Sequence, residues 1–134
     1  MSIRRPAMPR FPADFYAYLR THTLLGIKGG RMRPTFLDIW MVEVDGRVFA
    51  RSWGRSERSW FGAMRAEGVG QVRYGERVID VRGEPLVGDV EMTRRIDEAY
   101  RAKYTQPANR PYAEGITRPE YADWTMELLP LKKT

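Results

Sequence analysis

Two short stretches gather the residue types that bind anions: Lys28-Gly29-Gly30-Arg31-Met32-Arg33 and Arg51-Ser52-Trp53-Gly54-Arg55-Ser56. In the first, glycines let backbone N–H groups converge while three cations flank them. The second offers two arginines and two hydroxyls just before an expected helix, whose unpaired amides and dipole attract negative charge. A hairpin between them could bring the two stretches together. Trp40, Trp53 and Trp60 lie close by. Tryptophans usually help fill a core, yet a planar anion held by these cations would want one such ring as a wall. The bland alternative is a solvated strand end, an ordinary helix cap and three core rings.

Other chemistries are poorly supplied. His22 is the only histidine and there is no cysteine, so zinc, copper and haem iron lack their usual ligands. The same shortage argues against a Ser–His–Asp or Cys–His nucleophile, and His22 reads as a helix-end residue. Asp38 and Glu43 are five positions apart on one expected strand and face opposite sides, which removes a carboxylate pair. If the chain is an enzyme, a cofactor brings the hard chemistry.

Patterning gives the elements that must position these residues. Residues 1–10 are expected to form a flexible basic arm, with Pro6 and Pro9 discouraging regular structure. Pro12 starts a helix through about His22, with Phe15 and Leu19 four apart. Gly26 to Pro34 breaks all periodicity and is expected to be a loop. Thr35 to Val44 reads as one strand, Asp45-Gly46 is the favoured hairpin dipeptide, and Arg47 to Trp53 pairs back. In that second strand Val48, Ala50 and Ser52 share one face, while Arg47, Phe49, Arg51 and Trp53 share the other.

Ser56 is expected to cap a helix through about Ala66, stopped by Gly68. A second hairpin runs from Val69 to Tyr74 and from Arg77 to about Val87. Asp89 caps a helix to about Tyr104, with Met92, Ile96, Ala99 and Tyr100 as its apolar stripe. Residues 105–120 read as a long Pro-rich connection, and Trp124 to Pro130 as a closing strand. The 134 residues suit a single domain, a small antiparallel sheet or barrel with peripheral helices.

Net charge is +6, and residues 1–65 hold 12 Lys/Arg against 5 Asp/Glu. Of 23 cations, 19 are arginine, whose planar fork suits phosphate and carboxylate and stacks on aromatics. Codon bias could explain the same preference. The chain lacks cysteine, any apolar run long enough to span a bilayer, and the apolar core of a signal peptide. A soluble, cytoplasmic protein is expected.

From Gly26 to about Val87 the order of parts resembles the split β-barrel flavin and deazaflavin proteins. The parts are a glycine-rich basic loop, a hydrophobic strand, an Asp-Gly turn, a strand ending in Arg51-Ser52, Gly54, a helix carrying Trp60-Phe61, and two more strands. That superfamily includes pyridoxamine-phosphate-oxidase-like enzymes and deazaflavin-dependent nitroreductases. Within it the chain is similar to a family of small uncharacterised bacterial proteins.

The resemblance implies a mainly β fold with peripheral helices, a six-stranded antiparallel split β-barrel, usually a homodimer. It also implies flavin mononucleotide (FMN) or a deazaflavin coenzyme in a groove at the subunit interface. Lys28 and Arg33 would approach the cofactor's phosphate end, with Arg51, Ser52 and Arg55 at the strand end that contacts phosphate. Trp40 and Trp60 would line the ring pocket. The deazaflavin-dependent relatives usually carry Ser or Thr between the glycines of the loop, where this chain has Gly29-Gly30. They often carry Asn after the Trp-aromatic pair, where Gly62 and Ala63 follow here.

The expected function is therefore an oxidoreductase-like protein that moves hydride between a flavin or deazaflavin and a small molecule, with no side chain acting as acid or base. One alternative keeps the barrel and groove for another anionic or hydrophobic ligand, without catalysis. A nucleic-acid binder, motivated by the basic first half and surface aromatics, ranks last because no recognition motif accompanies the charge.

Overall fold

The computed structural model describes residues 10–131, so the basic arm expected over 1–10 lies outside the described residues except for Arg10. Helix α1 (Ala13–Thr21) buries Phe15, Tyr16 and Leu19. The expected loop at Gly26 begins instead as strand β1 (Leu25–Gly29), whose residues are buried except for Lys28, which is half-buried. Its glycines serve close packing: a Cβ on Gly29 would overlap the Trp60 carbonyl.

The strand expected from Thr35 to Val44 is two strands, β2 (Leu37–Ile39) and β3 (Val42–Val44), interrupted at Trp40-Met41. Met41 is fully buried, and its carbonyl accepts hydrogen bonds from Lys103 Nζ at 2.8 Å and Tyr104 Oη at 3.3 Å. Trp40 stacks on the Tyr104 ring at 3.8 Å. Tertiary contacts from a distant helix therefore end the ladder there, where local propensity would continue it.

Strand β4 (Arg47–Arg51) follows the Asp45-Gly46 turn, both of whose residues have positive φ as a type I′ turn requires. Helix α2 (Trp60–Glu67) starts later than expected: its N-cap is Ser59, whose hydroxyl accepts from Gly62 N–H, and not Ser56. Gly68, at φ 77°, ends it. Strands β5 (Val69–Tyr74) and β6 (Arg77–Pro85) form the second hairpin, and helix α3 (Val90–Lys103) is capped by Asp89, as expected. The expected connection over 105–120 contains a further helix, α4 (Arg110–Ile116), followed by a 3-10 helix (Pro119–Trp124) and strand β7 (Thr125–Pro130).

All seven strands join one antiparallel sheet in the order β2-β1-β5-β6-β7-β4-β3, seven where six were expected. The patterning placed five; β1 in the expected loop and the break at Trp40-Met41 supply the other two. That break also dictates curvature. In a flat sheet the outer strands would lie about 29 Å apart, whereas Ile39 to Val42 spans at most about 11 Å of chain. The sheet must curl until its edges approach, giving a split-barrel-like half-barrel.

One cluster, with Phe15, Ile27, Val48, Phe61, Met64, Val72 and Met126, fills the curl and takes in α1 and α2. A second, with Val42, Phe49, Ile96, Tyr100 and Ile116, seats α3 and α4 on the sheet's other side. No helix among the described residues is long and apolar enough to cross a membrane.

Candidate functional site

Five of the seven expected site residues, Lys28, Arg33, Trp40, Ser52 and Trp60, line one groove of about 440 Å³. That volume is in the range of small-ligand sites. Strand β1 supplies Lys28 and Gly29, and the following loop supplies Arg33. The β2 edge contributes Leu37 and Ile39, and the break between β2 and β3 contributes Trp40. Opposite them stand Ser52, Trp53 and Gly54 after β4, with Ser59 and Trp60 at the start of α2.

Ser52 decides what the groove asks for. Its residue is 1% exposed, and its Oγ is the one buried side-chain polar atom without a hydrogen-bond partner among the described residues. A buried, unmade hydrogen bond costs on the order of 1–3 kcal/mol, so this oxygen fits a ligand atom that completes it. Two cations accompany it. Arg33 donates through Nη2 to the carbonyls of Arg58 and Ser59, at 2.6 and 3.2 Å, which fixes its side chain over the α2 entry. Lys28 Nζ lies 4.4 Å from the centre of the Phe36 ring. Both also line an adjoining polar cavity of about 400 Å³ with Arg31, Gln71 and Asp80.

The other two expected residues lie elsewhere. Arg51 is the last residue of β4, on the face it shares with Arg47 and Phe49. Its guanidinium is buried beneath α3, paired with Asp97 at 2.5 Å, and donates to Thr125 Oγ1 and the Ile116 carbonyl. The Arg51 amide donates to Tyr100 Oη at 2.9 Å, and burial pushes the Tyr100 phenol up to about 12. Arg51 fastens two helices to the sheet and is not available to the groove. Arg55, at φ 42°, stacks over Tyr121 at 5.0 Å from its ring centre, also away from the groove lining.

The sequence departures near Gly29 and Gly62 have a packing cause. A Cβ on Gly62 would overlap the Glu57 carbonyl, just as one on Gly29 would overlap that of Trp60. The Gly29 approach holds β1 against the start of α2, and the Gly62 approach holds α2 against its own preceding turn.

Sequence reasoning named Trp53 as a possible wall but assigned the ring pocket to Trp40 and Trp60, and it missed Ser59 as a lining residue. The regular alternation that set Trp53 opposite Ser52 stops with β4 at Arg51, so both reach the groove. Ser59 could have been found as the first Ser directly before the Trp-Phe pair, a better cap position than Ser56.

A family model described as an uncharacterized protein conserved in bacteria (DUF2255) matches residues 27–128. The chain belongs to this family. The matched span of the DUF2255 chain runs from within β1 to within β7 and includes all the groove residues just described. No curated protein matches it.

Among solved structures, the conserved hypothetical protein Rv2991 of Mycobacterium tuberculosis superposes with a TM-score of 0.56 at 12% identity, covering 98% of this chain and 85% of the other. A Listeria innocua protein provisionally named pyridoxamine 5′-phosphate oxidase gives 0.59 at 12% identity, with coverages of 89% and 92%. A FAD-binding protein of Mesorhizobium loti gives 0.54 at 14% identity, with coverages of 92% and 91%. These likenesses show that the DUF2255 chain has the fold of the split-barrel superfamily its sequence resembles.

Proposed function

We propose that the groove binds a flavin-type cofactor, FMN or a deazaflavin coenzyme, and that the protein is an oxidoreductase acting on a small molecule. The observation that carries this reading is the buried, partnerless Oγ of Ser52, a residue that lines the groove together with Lys28 and Arg33. A hydroxyl and two cations suit a phosphate, and Trp40 and Trp60 offer aromatic surface for a ring. The names of the Listeria and Mesorhizobium proteins support the same class of ligand.

When bound, such a ring supplies a carrier for hydride. The chain's own part is to bind and orient. Ser52 donates to an anionic oxygen, Lys28 and Arg33 balance its charge, and Leu37, Ile39 and the tryptophans exclude water from the ring. Asp38, the one carboxylate lining the groove, lies 3.9 Å from Arg73 and is given no proton to move. We take the assembly to be a homodimer, which sedimentation at several concentrations tests.

Titration of purified protein with FMN and with a deazaflavin, followed by visible absorbance, should give saturable binding of one of them. Ser52→Ala should weaken that binding about tenfold. If neither chromophore binds saturably, the cofactor reading is wrong. The apolar wall of Leu24, Ile27, Leu37 and Ile39 equally suits another anionic ligand with a hydrophobic body, held without catalysis. Native mass spectrometry of protein from its own host would then show a ligand other than a flavin.

A further inference from the structure

At the mouth of the groove, α4 builds an aromatic corner that the cofactor reading leaves unused. Trp53 and Tyr112 are 43% and 59% exposed, although large aromatic side chains are usually well buried. Their rings meet at 88° with centroids 6.2 Å apart, and Tyr112 also stands at 84° to Trp40, 6.4 Å away. Trp40 is backed by Tyr104 in a near-parallel stack, and Trp53 is buttressed at 5.2 Å by Tyr121. The corner is thus braced from behind and open in front. Trp40 and Trp53 belong to the groove lining as well, so corner and groove are continuous.

The seat of Trp53 is specific. A Cβ on Gly115, inside α4, would come within 3.1 Å of its ring. Glycine is a poor helix former, yet it occupies an α4 position against which this half-exposed ring lies. A ring that merely covered the core would not need a clearance cut for it in a surface helix.

We propose that this corner binds a planar conjugated molecule, the substrate of the groove's chemistry, with its face on Trp53 and its edge toward Tyr112. Two perpendicular rings offer a flat ligand one stacking contact and one edge contact at once. Neither ring can do the same for a puckered ring of equal size. The corner carries no charge of its own, and Arg55 is turned onto Tyr121, so the ligand's flat part is neutral. Identifying this ligand as substrate rests on the flavin reading; its binding does not.

The test follows the indole N–H resonances of the four tryptophans by nitrogen-15 NMR, in protein without added flavin. The Trp53 signal is assigned by Trp53→Phe. Titration with 1,4-naphthoquinone should shift the Trp53 and Trp40 signals saturably, whereas 1-decalone, a puckered ketone of similar size, should leave them in place. Trp53→Ala and Tyr112→Ala should each weaken naphthoquinone binding roughly threefold to tenfold, and Gly115→Ala should do so by displacing Trp53. FMN affinity should stay within about twofold for Tyr112→Ala, whose side chain lies outside the groove lining.

Unmoved Trp53 signals, or equal shifts with both probes, would overturn the proposal. So would a concentration-dependent shift of the same signals without any ligand, since a second copy would then cover the corner. Naphthoquinone binding without FMN binding would leave the corner standing and remove the cofactor reading; the reverse result would remove the corner alone.

Discussion

Arg51 and Ser52 are sequence neighbours with opposite fates. One is sealed under α3 with its hydrogen bonds made, and the other faces the groove with none for its hydroxyl. Replacing Arg51 by Ala would strand Asp97 and leave Thr125 and the Ile116 carbonyl without their donor. Urea unfolding should show a loss on the order of 3 kcal/mol, and ligand affinity should fall only as far as the fold loosens. Ser52→Ala should act the other way. Removing an unsatisfied buried oxygen should raise stability by about 1 kcal/mol while weakening ligand binding, the signature of a residue kept for binding. The alternation along Arg47–Arg51 was already readable in the sequence and puts Arg51 on the Phe49 side. What could not be read was which side carried the groove, because both faces of this strand are buried.

Elements were legible where they carry their own signal. The cap at Asp89 and the stripe of Met92, Ile96 and Tyr100 specify α3 locally, and all three apolar residues are buried as expected. Helix α4 has seven residues, Pro111 and Gly115 among them, so its pattern is too short to separate from a loop. It exists because Ala113 and Ile116 reach the cluster under α3. The break at Trp40-Met41 was illegible for a different reason: its cause, Lys103 and Tyr104, lies some 60 residues downstream. Glycines 29 and 62 were legible as glycines but not as contacts. Gly29→Ala and Gly62→Ala should each cost about 1–3 kcal/mol through overlap with a neighbouring carbonyl, measured as a fall in the urea midpoint with the slope unchanged. A Gly68→Ala control tests the alternative that backbone freedom is responsible, since a Cβ there meets nothing within 4 Å but must adopt φ 77°.

The curled sheet as a whole titrates at the contact between α3 and the Trp40-Met41 break. Burial lowers Lys103 from 10.5 to about 8, partly opposed by Glu43, and its amine lies 5.1 Å from the centre of the Tyr104 ring. Between those values the unfolded chain holds the proton that the folded chain has released, so stability should rise as pH increases from 8. Tyr100 and Tyr104 are raised above 10.0 by burial. Above that pH the unfolded phenols lose protons the folded ones keep, and stability should fall again. Thermal unfolding should therefore pass through a maximum near pH 9 to 10, and Lys103→Met should remove the rising limb alone; a curve flat from pH 8 to 10 in the unmodified protein would contradict this. The same break has a consequence for closure. Strands β4 and β6 have no bond to each other, and both pair with β7, the last strand of the described residues. Without it the sheet falls into two pieces, β2-β1-β5-β6 and β4-β3, with the facing edges of β6 and β4 unsatisfied. A chain stopped at Trp124 should accordingly self-associate through those edges, so β7 works as the clasp that closes the sheet.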